Sequence, residues 1–188
     1  MPVTATAAPE LTATEERNLK SVADVLPYWN SGDIEGILSF YDDDIVWTNV
    51  GLGEVYNGKG EVRGFLERIF TALPDLVFTV HHKIAYGDNV SEQWTIEGTH
   101  LGPFLGIPAT GRPILIKALS MVELRDGKFL SDQFYWDTRE VMHQMGLFPS
   151  LTATQSAVGR GFLWVSTKTL NVLSPGERRA RRARRTRR

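Results

Sequence analysis

From residue 76 onward, apolar side chains recur with a period of two, which is the spacing of β-strands that bury one face. Four strands are predicted from this alternation, in the segments LVFTVHHKIAY, NVSEQWTIEGTH, RPILIKALSMVEL and KFLSDQFYWD. Short turn signals, Gly87-Asp88-Asn89 and Asp126-Gly127, separate the first pair and the last pair of these strands. Connections of this length join antiparallel neighbours, so the sequence predicts antiparallel hairpins.

The first 75 residues instead carry apolar side chains at helical spacing. A first helix has a buried stripe that includes Val22, and Pro27 bends or ends it. Asp33 can cap a second short helix, and a third helix stops at Pro74 after the short strand DIVWTNV. Helices followed by long strands predict an α+β domain, with the helices packed on one face of a curved, mostly antiparallel sheet.

The composition restricts the chemistry that this chain of 188 residues can support. It has no cysteine, which excludes disulfides, thiolate catalysis and Cys-based metal sites. The four histidines have no metal-ligand spacing, so no metal is expected. No apolar run reaches the ~18 residues of a membrane span, and the N-terminal residues lack the pattern of a signal peptide. We therefore expect a cytoplasmic protein without a membrane partner.

Basic residues are concentrated at the C-terminus. The last eleven residues hold eight of the 21 Lys and Arg side chains, and without those eight charges the net charge falls from −1 to about −9. Such a tail is expected to be disordered. Because the rest of the chain is acidic and no aromatic residues interleave the arginines, nucleic-acid binding is predicted to be absent. The predicted organisation is a flexible segment at 1–11, a domain at 12–147, and an extension with the Arg-rich tail at 148–188.

Three further polar groups are predicted to have structural roles. Asp137 has Glu140 at the capping-box position and is predicted to cap the last helix. The run Asp42–Asp44 is predicted to form a solvated turn. His82 shares a predicted strand face with apolar residues, which favours a position in the core or at an interface.

The segment PDLVFTVHHKIAYGDNVSEQWTIEGTHLGPFLGIPATGRPI, followed by DGKFLSDQFYWDTREVMHQMGL, resembles the SnoaL-like polyketide cyclase family. The resemblance covers about residues 15–147 and is most specific at the start of the sheet, in GTHLGPFLGIPATG and in the closing QMGL. It implies the cone-shaped nuclear-transport-factor-two-like fold around a deep apolar cavity, usually in a homodimer and without a cofactor. Because this fold hosts several activities, the fold alone does not fix the function.

The sequence departs from the family at the positions that usually titrate. The Asp of the aldol-type cyclases corresponds to Phe134, and the Arg and Asp of related epoxide hydrolases correspond to Trp94 and Ile96. The base of ketosteroid isomerases corresponds to Asn49. These side chains do not transfer protons, which disfavours epoxide hydrolysis and catalysis by the usual Asp.

One strand face supplies the candidate site. In DQFYWD, alternation places Asp132, Phe134 and Trp136 on the same side. Asp132 and Asn49 are the candidate catalytic residues. The candidate substrate-binding residues are Trp47, Tyr56, Trp94, Ile96, Phe104, Ser120, Phe134 and Trp136. Asp132 is either a buried acid with a raised pKa or an exposed or Arg-paired carboxylate, and the aromatic residues either contact a substrate or fill the core.

The loop GPFLGIP, residues 102–108, is longer than a hairpin requires. We expect Phe104 and Leu105 either to close over a substrate or to pack in a dimer interface.

These features predict a cofactor-independent cyclase that forms a carbon–carbon ring within a hydrophobic polyketide-like molecule. Closure driven by shape, such as a cycloaddition, is favoured over an Asp-catalysed aldol step, because holding two reacting ends together can supply ~7–11 kcal/mol. The alternatives are a non-catalytic binding domain for a hydrophobic small molecule, an acid–base cyclase, isomerase or hydroxylase that uses Asp132, and an interaction module that acts through the tail.

Overall fold

The computed structural model describes residues 10–161 and 164–165. The chain divides between Met145 and Gly146 into two compact units. The first unit contains α1 (Ala13–Asp24), α2 (Leu26–Ser31), α3 (Ile34–Ser39), β1 (Tyr41–Asn49), β2 (Glu54–Asn57), α4 (Gly58–Ala72), β3 (Val77–Tyr86), β4 (Asn89–Thr99), β5 (Pro113–Arg125), β6 (Lys128–Trp136) and α5 (Thr138–Gln144). The second unit contains α6 (Leu151–Thr154).

Capping side chains fix the starts of three helices. Thr12 and Glu15 form a complete capping box at α1, in which the Glu15 carboxylate accepts from the Thr12 main-chain N–H at 2.8 Å. Asp33 and Asp137 each accept a main-chain N–H of the first turn at 2.9 Å, at α3 and α5 respectively. The predicted capping roles of Asp33 and Asp137 are confirmed.

The six strands form one sheet in the order β2-β1-β6-β5-β4-β3. The four predicted long strands are confirmed, and β3 to β6 pair as an antiparallel meander. The sequence did not predict β2, nor the parallel pairing of β1 with β6. That pairing joins β1 and β2, from the first half of the chain, to the meander through β6.

The core lies between the helices and one face of this sheet. Helices α1, α2 and α4 contact strands β1, β3 and β4. Along β5 the burial alternates strictly over residues 113–125, so one face is buried and the other is exposed. The expected α+β arrangement, with helices on one face, is confirmed.

The predicted turn at Asp42–Asp44 is wrong, and so is the predicted core position of His82, whose alternative position at an interface stays a prediction. Residues Asp42–Asp44 lie in β1 and not in a turn, and Arg125 offsets their mutual repulsion with Nη2 lying 2.8 Å from Asp42 Oδ1. His82 is exposed in this chain, because the pairing of β3 with β4 shifts its register between Val80 and His82. Such a bulge turns the following side chains to the other face of the strand.

Two side-chain amides take the place of missing strands. Strand β3 is an edge strand, and Asn30 of α2 satisfies its free edge: Nδ2 donates to Phe78 O at 3.1 Å, and Oδ1 accepts from Phe78 N at 2.6 Å. Gln144 of α5 makes the same pair of hydrogen bonds with Leu115 of β5, at 2.7 and 3.1 Å. Both amides satisfy main-chain groups that burial would otherwise leave unpaired.

The remaining regional predictions concern the ends of the chain. The Arg-rich tail and most of the predicted flexible segment at 1–11 lie outside the described residues. The end of the domain at residue 147 stays a prediction. Within residues 10–161 and 164–165, no helix is both long and apolar enough to cross a membrane.

The amide of Asn30 provides a test of how the helices are fastened to the sheet. Replacing Asn30 by Ala should lower the free energy of unfolding by about 1–3 kcal/mol, because it leaves the Phe78 N–H and C=O without partners. Urea denaturation measures this change. The neighbouring variant Ser31→Ala removes only an exposed hydrogen bond within α2 and should change stability by less than ~0.5 kcal/mol. Equal effects of the two variants would contradict the role assigned to Asn30.

Candidate functional site

An apolar cavity lies between the buried face of the sheet and helices α1, α2 and α4. The space open to a water molecule measures about 60 Å³. This is well below the roughly 300–1,000 Å³ of a typical small-molecule site. Aromatic rings fill most of the interior: the Trp47 ring centre lies 4.7 Å from that of Phe65 and 5.0 Å from that of Phe134. The expected cavity is therefore present but narrow, and a larger ligand requires some of these rings to move.

The strand register arranges the site residues in rows. One row across β1, β6, β5 and β4 consists of Asn49, Phe134, Ser120 and Glu92. Trp47 pairs with Asp132 in the adjacent row. Because alternate residues of a strand share a face, both rows point into the cavity.

Three indole N–H groups each hold one polar side chain of the site. Trp47 Nε1 donates to Asp132 Oδ2 at 2.8 Å, and Trp94 Nε1 donates to Ser120 Oγ at 3.0 Å. Trp136 Nε1 donates to the Oδ1 atom of a third polar residue, Asn49, at 2.7 Å. Each bond fixes one atom of its acceptor group and leaves the rest of that group for other partners.

The third of these bonds depends on a glycine. A Cβ atom at Gly51 would lie 2.7 Å from Trp136 Nε1, so only glycine leaves room for the indole. Asn49 Oδ1 also accepts from Leu52 N at 3.2 Å. With two donors on Oδ1, the amide orientation is set, and Asn49 Nδ2 is buried without a partner among the described residues.

Asp132 is a buried carboxyl group. Of the two alternatives that the sequence leaves open, a buried acid or an exposed or Arg-paired carboxylate, the structure shows the buried acid. Burial raises its pKa to about 6, against the smaller opposing effects of the Trp47 hydrogen bond and the nearby Ser120 hydroxyl. Its second oxygen, Oδ1, has no hydrogen-bond partner within the described part of the chain. Asp132 therefore presents an unpaired acceptor to an apolar space.

Glu92 is a second buried carboxyl group in the cavity wall, and the sequence analysis did not select it. It is 7% exposed, and its pKa is raised to about 8, first by burial and then by the charge of Asp132. Glu92 lies two residues before Trp94 on β4, so the same period of two that selected Trp94 also places Glu92 on the inner face. Its Oε1 atom has no partner among the residues described.

Tyr41 completes this polar group and was also not selected. Its side chain lines the cavity, and burial, together with the charges of Asp132 and Glu92, raises the pKa of its phenol well above the ordinary value. The phenol therefore remains protonated and is a potential hydrogen-bond donor in the physiological range.

These pKa values separate the two carboxyl groups near neutral pH. Asp132 is mainly ionised above pH 6, while Glu92 is mainly protonated below pH 8. A carboxylate and a carboxylic acid thus face the same cavity, which is the arrangement that general base and general acid catalysis require. Asn49 Nδ2 adds an unpaired donor on the same wall.

A tight turn holds Phe104 in the cavity wall. Phe104 and Ile107 exchange main-chain hydrogen bonds of 3.0 and 2.8 Å, and the two residues between them, Leu105 and Gly106, have φ of +53° and +76°. Positive φ at both central residues is the type I′ pattern, which Leu adopts only with strain. Phe104 is buried, whereas Leu105 is partly exposed.

The structure brings most of the predicted site residues together. Those that line the cavity are Trp47, Asn49, Trp94, Ile96, Phe104, Ser120, Asp132, Phe134 and Trp136. Tyr56 does not line it but contacts its wall, with its ring centre 5.2 Å from that of Phe65. Their roles in binding or catalysis stay predictions. Among the described residues, no group of His, Asp and Glu side chains is close enough together to hold a metal ion.

Solved structures with the same fold include proteins named as candidate polyketide cyclases and one named as a candidate hydroxylase. A SnoaL-like polyketide cyclase candidate from Jannaschia sp. CCS1 is 20% identical, with a TM-score of 0.69 over 76% of this chain and 100% of that one. The candidate hydroxylase AclR from Streptomyces galilaeus is 24% identical, with a TM-score of 0.65 over 73% of this chain and 100% of that one. The candidate polyketide cyclase IdmH from Streptomyces antibioticus is 26% identical, with a TM-score of 0.60 over 69% of this chain and 98% of that one.

A search of curated proteins found no match. The sequence profile of the SnoaL-like polyketide cyclases matches residues 22–145, a span that includes α2 to α5, the last turn of α1 and every strand of the sheet. Because this match covers well over half of the chain, the protein belongs to the SnoaL-like polyketide cyclase family.

Proposed function

We propose that the protein closes a carbon–carbon ring within a linear polyketide-like molecule by an acid–base aldol step. The observation that carries this proposal is the pair of buried carboxyl groups, Asp132 and Glu92, which face one apolar cavity with different pKa values and one unpaired oxygen each. Membership of the family supports a cyclase-type role. The choice of an aldol step rests on the carboxyl pair.

In this mechanism Asp132 is the base and Glu92 is the acid. The Asp132 carboxylate removes a proton from the carbon beside a carbonyl group of the substrate. The resulting enolate carbon attacks a second carbonyl carbon of the same chain, which forms the new carbon–carbon bond. The oxygen of that second carbonyl takes the proton of Glu92. The product is an isomer of the substrate, and proton transfer from Asp132 back to Glu92 restores the enzyme.

The unpaired amide of Asn49 has a role in the same step. Its Nδ2 donates toward the cavity, and its orientation is fixed by Trp136 and Leu52. A donor held in place before the reaction stabilises the developing enolate oxygen without reorganising. Asn49 is therefore assigned to the enolate, and Glu92 to the attacked carbonyl.

Ring closure by shape alone is the second candidate, and the packed aromatic wall favours it. The Trp94 ring stacks on Phe78 at 5.0 Å, and Phe134 lies between Trp47 and Trp94, at 5.0 and 6.3 Å. Such a wall can select one folded conformer of a flexible chain. Under this mechanism Trp94→Ala would slow the reaction more than Asp132→Asn.

The outer face of the sheet supports the homodimer that the resemblance implies, which we also propose. Leu119, Met121 and Tyr135 are exposed there on paired strands β5 and β6. Adjacent exposed apolar side chains are typical of protein interfaces. Analytical ultracentrifugation should find a dimer, and Met121→Lys should shift it toward the monomer.

The pH dependence of proton abstraction separates the two mechanisms. The probe is acetonaphthone in D₂O, because exchange of its methyl protons reports enolate formation and is visible by proton NMR. The exchange rate per enzyme should rise through pH 6, as Asp132 ionises, and then level off, because enolate formation in this probe does not use the proton of Glu92. Asp132→Asn should lower this rate by ~10²–10⁴-fold.

Asp126→Asn is the matched control for this experiment. Asp126 is exposed in the β5–β6 turn with φ of +52°, a conformation that Asn adopts readily, so the variant should keep the full exchange rate. A rate that is independent of pH, or one that Asp132→Asn leaves unchanged, would contradict the acid–base mechanism.

The raised pKa of Glu92 also predicts how stability depends on pH. A carboxyl group whose pKa is higher in the folded state than in the unfolded state stabilises fully below its unfolded value of 4.5, and this contribution is lost as the pH rises through about 8. Glu92→Gln cannot ionise, so the variant should unfold at a higher temperature than the wild type at pH 8.5.

The advantage of Glu92→Gln should shrink as the pH is lowered toward 5. Glu97→Gln, on the same strand but exposed, serves as the control and should show no such trend. Melting curves recorded between pH 5 and pH 8.5 provide the test. A constant difference between Glu92→Gln and the wild type at every pH would show that Glu92 is not held protonated.

A further inference from the structure

A second hollow lies directly outside the cavity and shares a wall with it. Its space open to water measures about 210 Å³, against about 60 Å³ inside. We call this outer hollow the vestibule; its lining is Leu52, Glu54, Tyr56, Phe65, Arg68, Pro103, Phe104, Leu105 and Gly106. Phe65 and Phe104 line both spaces, so their rings form the partition between them.

Arg68 is the cationic side chain of the vestibule lining, and aromatic rings hold it in place. Its guanidinium carbon lies 5.7 Å from the ring centre of Tyr56 and 5.8 Å from that of Phe65. Its Nη2 also donates to the Tyr56 hydroxyl at 3.2 Å. Phe65 therefore touches the guanidinium on the vestibule side and the aromatic wall of the cavity on the other.

Arg68 differs from Arg63 and Arg125 in having no acidic partner among the described residues. Arg63 pairs with Glu35, and Arg125 pairs with Asp42, but no carboxylate of the described residues lies within 4.0 Å of Arg68. A guanidinium has five N–H donors, and the Tyr56 hydroxyl accepts from one of them. Most of its donors are therefore free for a ligand in the vestibule or in the adjoining surface hollow, both of which Arg68 lines.

We propose that the vestibule binds the carboxylate end of a hydrophobic chain, with Arg68 as the residue that selects it. A planar guanidinium matches a planar carboxylate through two parallel hydrogen bonds, and the neighbouring rings keep it in that orientation. The chain would then pass Phe104 into the aromatic cavity. This inference rests on the proposed function and names its substrate class: a polyketide-like free acid, so that a hydrolytic release step precedes ring closure.

Glu54 sets the direction from which such a carboxylate approaches. The Tyr56 hydroxyl donates to Glu54 Oε2 at 2.5 Å and stands between this acid and Arg68. Repulsion by Glu54, and by Glu67 in the adjoining surface hollow, limits the affinity for an anion. Removing the charge in Glu54→Gln should therefore strengthen binding of an acid and leave binding of a neutral ligand unchanged.

Naphthylbutyrate and its primary amide are matched probes, because they differ only in the charged group. Isothermal titration of the wild-type protein at low salt should give a Kd about tenfold lower for the acid than for the amide. The difference should shrink in ~0.5 M NaCl, which screens an exposed ion pair. Arg68→Met should abolish the preference and leave the Kd of the amide unchanged.

Arg63→Met, on the same helix, is the control and should keep the preference for the acid. Equal binding of both probes by the wild type, or a preference that survives in Arg68→Met, would overturn the role of Arg68. Failure of both probes to bind would overturn the vestibule as an entrance. Phosphopantetheine could instead bind more tightly than naphthylbutyrate and lose this advantage in Arg68→Met. That outcome would indicate a carrier-bound chain as the substrate and overturn the free acid as its class.

The aldol mechanism and the assignment of the vestibule can be wrong independently of each other. If Asp132→Asn leaves proton exchange unchanged while the acid is still preferred through Arg68, the aldol mechanism is wrong and the vestibule assignment stands. If proton exchange behaves as expected but the two probes bind equally, only the substrate class is wrong.

Discussion

Three indole N–H groups determine what the cavity of this protein can do. Each donates to one polar side chain in the wall, at distances of 2.7 to 3.0 Å, and so helps to fix the orientation of that side chain in an apolar space. The indoles also form part of the aromatic packing, so each polar group is held by the same residues that exclude water. The same three side chains still offer polar groups to a ligand in the cavity: an oxygen of Asp132, the amide nitrogen of Asn49 and the hydroxyl of Ser120. The chemistry available to a ligand is therefore decided by the tryptophans as much as by the polar residues.

The polar groups of the site work against the stability of the fold. Unpaired buried polar atoms each cost about 1–3 kcal/mol, and three of those in this chain, on Asp132, Glu92 and Asn49, line the cavity. The strained turn at Leu105 adds to this cost beside the same space. Elsewhere the structure satisfies its main-chain groups closely, with the amides of Asn30 and Gln144 placed where strands are missing. Three of the five buried side-chain atoms without a partner among the described residues thus lie in one cavity, where a ligand could supply the missing partners.

Much of this arrangement follows from the sequence, because a period of two fixes which side chains share a sheet face. This period predicts the long strands and the inward face of β6, and the capping patterns predict the caps at Asp33 and Asp137. The same period also places Glu92 on the inner face of β4 with Trp94. The family resemblance points only to the positions that usually titrate, and Glu92 is at none of them. The parallel pairing of β1 with β6 could not be predicted, because it depends on contacts about 85 residues apart in the chain. The narrowness of the cavity depends on how the aromatic rings pack, and no sequence pattern encodes that.

The register between β1 and β6 also affects how the protein acquires its activity. Trp47 meets Asp132 only when β6 lies beside β1, so the hydrogen bond that orients the acid requires this long-range pairing. Contacts between distant segments form slowly, since the intervening chain must first be ordered. A chain that still lacks β6 also lacks Asp132 and Phe134, and so cannot form the cavity wall described above. Under the proposed mechanism such a chain could not turn over a substrate, and the appearance of activity would report completion of the sheet.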